Sequence, residues 1–396
     1  RDICSNSMIH IYDFSEFGLP QKRKRCIVGN FDHKLLESYK SKIKNKNLGD
    51  VISSISKKQI FDPNFQIVLS NNKVTDLEKE TPLNKEEQRF NSESKTHHPV
   101  YNNMQFPDLI DRPARTITAT CTRVSRESII INDNKKMRRL TVRERASCQG
   151  FPINFQFHSK SYSSKLKMIG NAISPVFTYY LANAMLRTNL QNLTLLDKVT
   201  INCINLKSVA PITKPETTGK SYPETRLFRF AIPNLRFKSG TRFELNNSKG
   251  KLPWKIEFFF GDSKRILSKK LDTQTSNDIF FVLSKKKPII TKKIKKIISL
   301  NIQSLDHNTL QNTWSGRSRK QHPFELIDKL GLLAKNLIDL IKSCDNLIFD
   351  KILEKFVFVN VLNGKPISAN KLKSYSKEII VGLIIGSEFN KINRLK

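Results

Sequence analysis

Alternation of apolar and polar positions opens the chain with a strand over Ser7–Tyr12 and a turn through Gly18-Leu-Pro20. A basic knot from Gln21 to Arg25 leads into a short apolar strand, Cys26-Ile-Val28. From about 32 to 110 that order is lost. Asn, Lys, Ser and Glu dominate and few apolar positions recur periodically, which predicts a loop-rich insert rather than part of a core. β-like runs return at Arg115-Thr-Ile-Thr-Ala119 and Ser128-Ile-Ile-Ile131. A helix follows: Thr141 caps it, Glu144 three residues on completes a capping box, and Gly150-Phe-Pro152 ends it. Ser174 as cap and Pro175 at the first helical position mark a second helix. Its apolar residues Val176, Phe177, Tyr180, Leu181, Ala184 and Met185 share one face. Beyond about Leu190 the pattern changes again. Residues 225–300 alternate aromatic, basic and β-branched positions, and 323–359 carry helical spacing, as a separate α+β domain would. No internal repeat is visible.

Charge adds a partner. Lys+Arg number 69 against 35 Asp+Glu in 396 residues, a formal +34, and so large an excess suits a polyanion such as DNA or RNA. Heavy use of Lys, Ile, Asn and Phe also fits an AT-rich genome, so charge alone does not decide the matter. The six cysteines (Cys4, Cys26, Cys121, Cys148, Cys203 and Cys344) form no C-x-x-C pair and lie near no histidine cluster. A zinc site or disulfide framework is not expected, and a reducing cytoplasm is. No apolar run reaches membrane-spanning length and no signal peptide is seen. The chain begins at Arg1 rather than Met, and the expectation is a processed protein or a piece of a longer one.

Three segments carry candidate chemistry. In Phe17-Gly-Leu-Pro-Gln-Lys-Arg-Lys-Arg25, alternation places Gln21, Arg23 and Arg25 on one face of a strand, where guanidiniums can fork onto a phosphate or a base carbonyl. A solvated basic loop explains the same residues. Arg138-Arg-Leu-Thr-Val-Arg-Glu-Arg-Ala-Ser-Cys-Gln-Gly-Phe-Pro152 reads locally as a well-capped basic helix. Met168-Ile-Gly-Asn-Ala-Ile-Ser-Pro175 reads as a tight turn offering backbone amides and a small side-chain amide.

In this order and at these spacings the three resemble the cytosine-5 DNA methyltransferase family over roughly the first half of the chain. The resemblance implies an α/β fold there. Residues 1–31 would end, and 138–190 would close, the C-terminal remnant of an S-adenosylmethionine-dependent, Rossmann-like methyltransferase domain. Residues 32–137 would form its loop-rich target-recognition region, and 191–396 the separate, unassigned basic α+β domain. It further implies S-adenosyl-L-methionine as cofactor, double-stranded DNA as substrate, a restriction–modification setting, and a cytoplasmic, nucleoid-associated protein. Gln21, Arg23 and Arg25 match the segment lining the pocket of the extruded base, with Arg25 on the cytosine ring and a nearby phosphate. Thr116 and Ile117, next to Arg115, match the pair that touches the DNA backbone. Asn171 and Ala172 match the turn closing over the methionine part of the cofactor. Arg143 and Glu144 match the helix that organises the recognition region, while Arg145, Ser147 and Ser174 depart from the family's pattern.

Transfer to carbon 5 of cytosine needs a thiolate that adds at carbon 6, and the base must leave the helix to be reached. In the family the thiolate lies in a Pro-Cys pair, a glutamate in Glu-Asn-Val, and the cofactor on a Gly-rich turn. None occurs in this sequence. The expectation is a chain inactive alone, with the missing N-terminal catalytic half upstream in the same polypeptide or on a partner, and with an unsupported apolar face on the Pro175 helix. A non-catalytic DNA-binding relic is the alternative. Beyond 191, the Lys-rich run Lys285–Lys296 suggests a DNA-binding or protein-contact module. Asp262-Ser-Lys264, with Glu244 or Glu257 as second carboxylate, faintly suggests a fused metal-dependent nuclease, although no metal site is assigned.

Overall fold

The computed structural model describes residues 8–56, 58–70, 73–96, 104–199, 209–217, 222–237, 240–248, 254–261, 266–269, 271–302, 307–355 and 372–392. Described residues up to 217 form one compact unit and those from 222 onward another.

The first unit opens with strands β1 (Met8–Asp13) and β2 (Lys24–Gly29), an antiparallel ribbon in register from Met8 opposite Gly29 to Asp13 opposite Lys24. Asp13 turns the chain out of β1 by accepting from the Ser15 amide and hydroxyl, which starts a 3-10 turn over Phe14–Phe17. That turn drives Phe14 and Phe17 into the core. Three helices follow, α1 (His33–Tyr39), α2 (Leu48–Ile55) and α3 (Lys85–Thr96), with a small ribbon of β3 (Gln59–Phe61) and β4 (Val68–Ser70) between the last two. A second ribbon, β5 (Ile130–Asp133) and β6 (Lys136–Arg139), turns through Asn134 and Lys135, both at positive φ as a two-residue hairpin requires. Helices α4 (Val142–Cys148), α5 (Tyr162–Asn171) and α6 (Pro175–Met185) complete the unit. Of the expected α/β remnant, the described residues hold the β1–β2 ribbon and α6. The core runs past the expected end at residue 190, since Leu193 and Leu196 are buried in it.

The described residues of the segment read as a loop-rich insert include three helices, and the apolar residues Leu36, Tyr39, Leu48 and Val51 among them are fully buried. Helix α1 is too short to show a period, with two core positions, whereas α2 carries Leu48, Val51, Ile52 and Ile55 at helical spacing behind an Asn47–Asp50 capping box, a signal present in the sequence. Helix α3 evades hydrophobic periodicity differently, because the side chains it buries are Glu87, Asn91 and Lys95, one helical turn apart. Arg123 satisfies that polar stripe: its guanidinium forks onto Glu87 at 2.7 and 2.9 Å, and its carbonyl accepts from Asn91 at 2.8 Å. The Lys95 ammonium reaches Asn91 at 2.9 Å, and burial brings its pKa down to about 7. Arg115–Ala119, expected as a strand, lies outside any ladder and is joined to the Gln21–Arg23 segment by the Ala114–Gln21 bridge and by hydrogen bonds at Thr116 and Ile117.

Helix α6 does not lack a partner, contrary to expectation. Phe177 stacks on Phe14 at 4.0 Å between ring centroids and meets Phe17 edge-on at 5.2 Å. Of the expected face Met185 is exposed at the helix end, and further uncovered apolar surface lies on the outer face of the ribbon, where Ile9, Ile11 and Val28 are 56, 73 and 54 % exposed.

In the second unit, β7 (Arg229–Arg236), β8 (Arg242–Asn246), β9 (Lys255–Gly261) and β10 (Ile266–Lys269) form an antiparallel meander in sequential order. Helices α7 (Thr273–Lys286), α8 (Pro288–Ile302), α9 (His307–Trp314), α10 (Pro323–Ile341), α11 (Asn346–Leu353) and α12 (Ser376–Ile392) follow. Alternate residues Phe243 and Leu245 of β8, and Ile256 and Phe258 of β9, bury one face of the sheet. Helix α12 approaches closely enough that a Cβ on Gly382 would lie 2.3 Å from the Phe243 ring, which only glycine allows.

Truncating Phe177→Ala removes a stacked ring from the core of the first unit. The expected cost is about 3–5 kcal/mol. Hydrogen exchange in urea is the suitable probe, because both tryptophans, Trp254 and Trp314, report on the second unit.

Candidate functional site

Alternation along residues 20–25 decides which side chains point inward. Gln21 and Arg23 are buried, Lys22 and Lys24 between them are exposed, and Arg25 on the inward parity is half-buried. The three residues expected on one face thus share it, at different depths.

Gln21 is fully enclosed. Its side-chain carbonyl accepts from the Ile117 amide at 2.6 Å, while its amide donates to the Gln149 carbonyl oxygen at 2.6 Å and the Cys148 backbone carbonyl at 3.2 Å. Gln149, at the C-terminal end of α4, passes the connection on by donating to the Ala172 carbonyl at 2.7 Å. Arg23 makes a parallel link, from Nη1 to the Ile117 carbonyl at 3.2 Å and from Nη2 to the carbonyls of Gly170 and Ala172 at 3.2 and 3.3 Å. Its Nε is buried and without a partner. Burial pulls this guanidinium down to about 10, and the nearby Arg25 charge adds to the effect. Arg25 donates through Nη1 to the Lys24 carbonyl and meets no carboxylate among the described residues.

Ile117 contributes its backbone to this cluster, and its side chain is buried in the core. Thr116 is half-exposed and donates its hydroxyl to the Lys22 carbonyl at 2.8 Å. Arg115 turns away: it forks onto Asp108 at 2.6 and 3.2 Å and donates to the carbonyls of Ser128 and Arg126. The Ala172 amide closes α5 onto the Ile169 carbonyl, while Asn171 and Ile173 face solvent. The expected tight turn at Gly170-Asn171 is the last turn of α5, and the chain breaks only from Ala172. Gly170 must be glycine, since a Cβ would lie 2.2 Å from the Ala119 backbone nitrogen.

The supporting helix α4 carries the expected capping box: Thr141 and Glu144 exchange side-chain-to-backbone hydrogen bonds. Glu144 also receives Arg138 in a fork at 2.8 and 2.8 Å. Arg143 is buried on the Thr75 and Phe155 carbonyls, and burial lowers its pKa to about 10. The departures from the family pattern leave a trace, since Arg145 Nη2 and Ser147 Oγ are both buried without partners.

Gln149 is the residue that sequence reasoning missed. It stood inside a quoted motif with no role, and the available signal was a polar residue between an apolar-faced helix and a Gly-Phe-Pro stop. Of the four described cysteines, Cys148 is wholly buried, which pushes its thiol up, Cys344 is buried in the second unit, Cys26 lies on the outer ribbon face, and half-buried Cys121 accepts from Arg139 Nη1 at 3.8 Å. In the second unit Asp262 and Lys264 fall outside the described residues. Glu244 and Glu257 face each other across β8 and β9, but Arg229 and Arg242 each hold Glu244 at 2.5 Å, and Lys255 holds Glu257 at 2.7 Å. Both carboxylates are thereby occupied by cations.

The same stretch that this cluster ties together is the stretch that known proteins match. Residues 5–187 match the C-5 cytosine-specific DNA methylase family. Within the chain, 51 residues are 47 % identical to the Type II methyltransferase M.NgoPII of Neisseria gonorrhoeae, covering 13 % of this chain and 15 % of that relative. The chain thus spans a small part of that methylase's length. Among the described residues no helix is long and apolar enough to cross a membrane.

Replacing Gln21 by Ala leaves the Ile117 amide and the Gln149 side-chain carbonyl without their partners in a buried site. A loss of about 2–4 kcal/mol is expected, concentrated in hydrogen exchange over residues 112–120 and 168–176. A change spread evenly over the first unit, or none, would contradict the connecting role.

Proposed function

We propose that the first unit is the target-reading, base-holding part of a C-5 cytosine DNA methyltransferase, and that the attacking thiolate comes from a segment outside these 396 residues. The observation that carries this reading is the Arg23–Arg25 pair. One guanidinium is locked by three backbone carbonyls with an unspent buried Nε, and the next on the same face keeps open donors. Arg25 would hold the carbonyl of the extruded cytosine and the adjoining phosphate in charge-assisted hydrogen bonds. Arg23 positions it, by joining the base-pocket strand to the Ile117 segment and to the Gly170–Ala172 turn. Contact with the DNA backbone falls to Thr116 and the exposed Lys22 and Lys24, whereas Ile117 and Arg115 fix the loop from behind.

The residues present fit one part of S-adenosyl-L-methionine. Exposed Asn171 offers an amide and exposed Ile173 an apolar surface beside the start of α6, suited to its methionine portion. The sequence has no Gly-rich turn after a strand for its nucleoside. When bound, the cofactor supplies an electrophilic methyl group. The absence of any Pro-Cys pair supports the division of labour. A non-catalytic DNA-binding relic is the competing outcome.

Tritiated methyl incorporation into duplex DNA separates these readings. The chain alone is expected to transfer none, and to transfer once fused behind the N-terminal portion of M.NgoPII. Robust transfer by the chain alone would place the thiolate within it, and a folded, inert fusion would favour the relic.

A further inference from the structure

Between Asp278 and Asp306 the chain has no acidic residue, and residues 285–296 carry seven lysines. The structure gathers these at the end of α7 and along α8. Thr291, Ile294, Ile298 and Ile302 form the buried stripe of α8, which turns Lys292, Lys293, Lys295 and Lys296 to solvent. The second unit's ion pairs among the described residues (Arg229–Glu244, Arg242–Glu244, Lys255–Glu257, Arg317–Glu224 and Lys373–Glu354) leave all seven out. Lys285 and Lys295 lie over the rings of Phe281 and Phe280, at 4.1 and 5.0 Å. Lys292 and Lys296 are one turn apart, a like-charge spacing that works against the helix. Burying its apolar stripe lets α8 tolerate that repulsion.

We propose that this lysine face binds the phosphate backbone of double-stranded DNA independently of sequence, as an electrostatic tether separate from the methylase-family unit. About 6 Å of rise separates Lys292 from Lys296, given about 1.5 Å per residue, which is within reach of neighbouring phosphates. Residues 285–296 include no Arg, Asn or Gln, the side chains that read base edges in forks, so the face can hold DNA without choosing a sequence. An anionic membrane would attract the same charge, but an amphipathic helix lies in lipid through its apolar stripe. Here Ile294, Ile298 and Ile302 are committed to the unit's interior. The choice of DNA among polyanions rests on the reading of the first unit.

The test is fluorescence anisotropy of the full chain with a duplex of A·T pairs only, which contains no cytosine and so does not depend on methylase chemistry. Changing Lys292, Lys293, Lys295 and Lys296 to Gln together is expected to weaken binding at least ~10-fold at about 100 mM salt. It should also lower the slope of log affinity against log salt by about 2–4. The corresponding Lys→Arg variant is expected to bind like the parent, and circular dichroism checks that each variant folds. Unchanged affinity and slope in the Gln variant would overturn the proposal. So would tighter binding of the parent to duplex RNA, or to phosphatidylserine vesicles, than to DNA under the same salt. Loss of duplex binding in the Gln variant, with no methyl transfer from the fusion protein, would sustain the tether and reject the methylase reading.

Discussion

A single buried side-chain amide holds the first unit's distant segments together. Gln21 has one carbonyl and one NH2 group, and both are committed: the carbonyl to the Ile117 amide, the NH2 to Gln149 and to the end of α4. In a water-excluded site each of these bonds is stronger than it would be in solvent, and each is costly to leave unmade. Gln149 extends the chain of bonds to Ala172, and Arg23 closes the loop between Ile117 and the same turn. Three segments whose bonded residues lie 96, 128 and 149 positions along the chain from those of the strand thereby share one hydrogen-bonded cluster. The close approach of Gly170 to Ala119 follows from it, since the turn can sit there only without a side chain.

The first unit was legible where its signals were local and illegible where they were tertiary. Caps such as Thr141 with Glu144, and Ser174 with Pro175, act within four residues, and the structure has both. The face shared by Gln21, Arg23 and Arg25 follows from strand alternation alone. What alternation could not tell is depth: Arg23 is enclosed and Arg25 is not, and that difference comes from carbonyls more than ninety residues away. Helix α3 stayed hidden because its inward stripe is polar and needs Arg123 to make sense. A sequence likewise shows the side chains of Ile117 and Arg115 without showing that the first is buried and the second forks onto Asp108.

The two units use cations in opposite ways. In the first, Arg123, Arg138 and Arg139 are buried against Glu80, Glu87 and Glu144, as fixed struts of the fold. In the second, the lysines of α8 form no ion pair among the described residues and stand on a helix whose other face is packed. The first arrangement confers shape and is insensitive to salt, and the second creates a field that salt screens. A large net charge therefore divides into an architectural part and an interactive part.

The most direct measurement of the central claim is a double-mutant cycle between Gln21→Ala and Gln149→Ala, read by native-state hydrogen exchange of the first unit. Two side chains acting as one connection should couple by at least about 1 kcal/mol, so that the second substitution costs much less once the first is made. Costs that add to within about 0.5 kcal/mol would mean that the two amides act separately and that the cluster does not hold the site together.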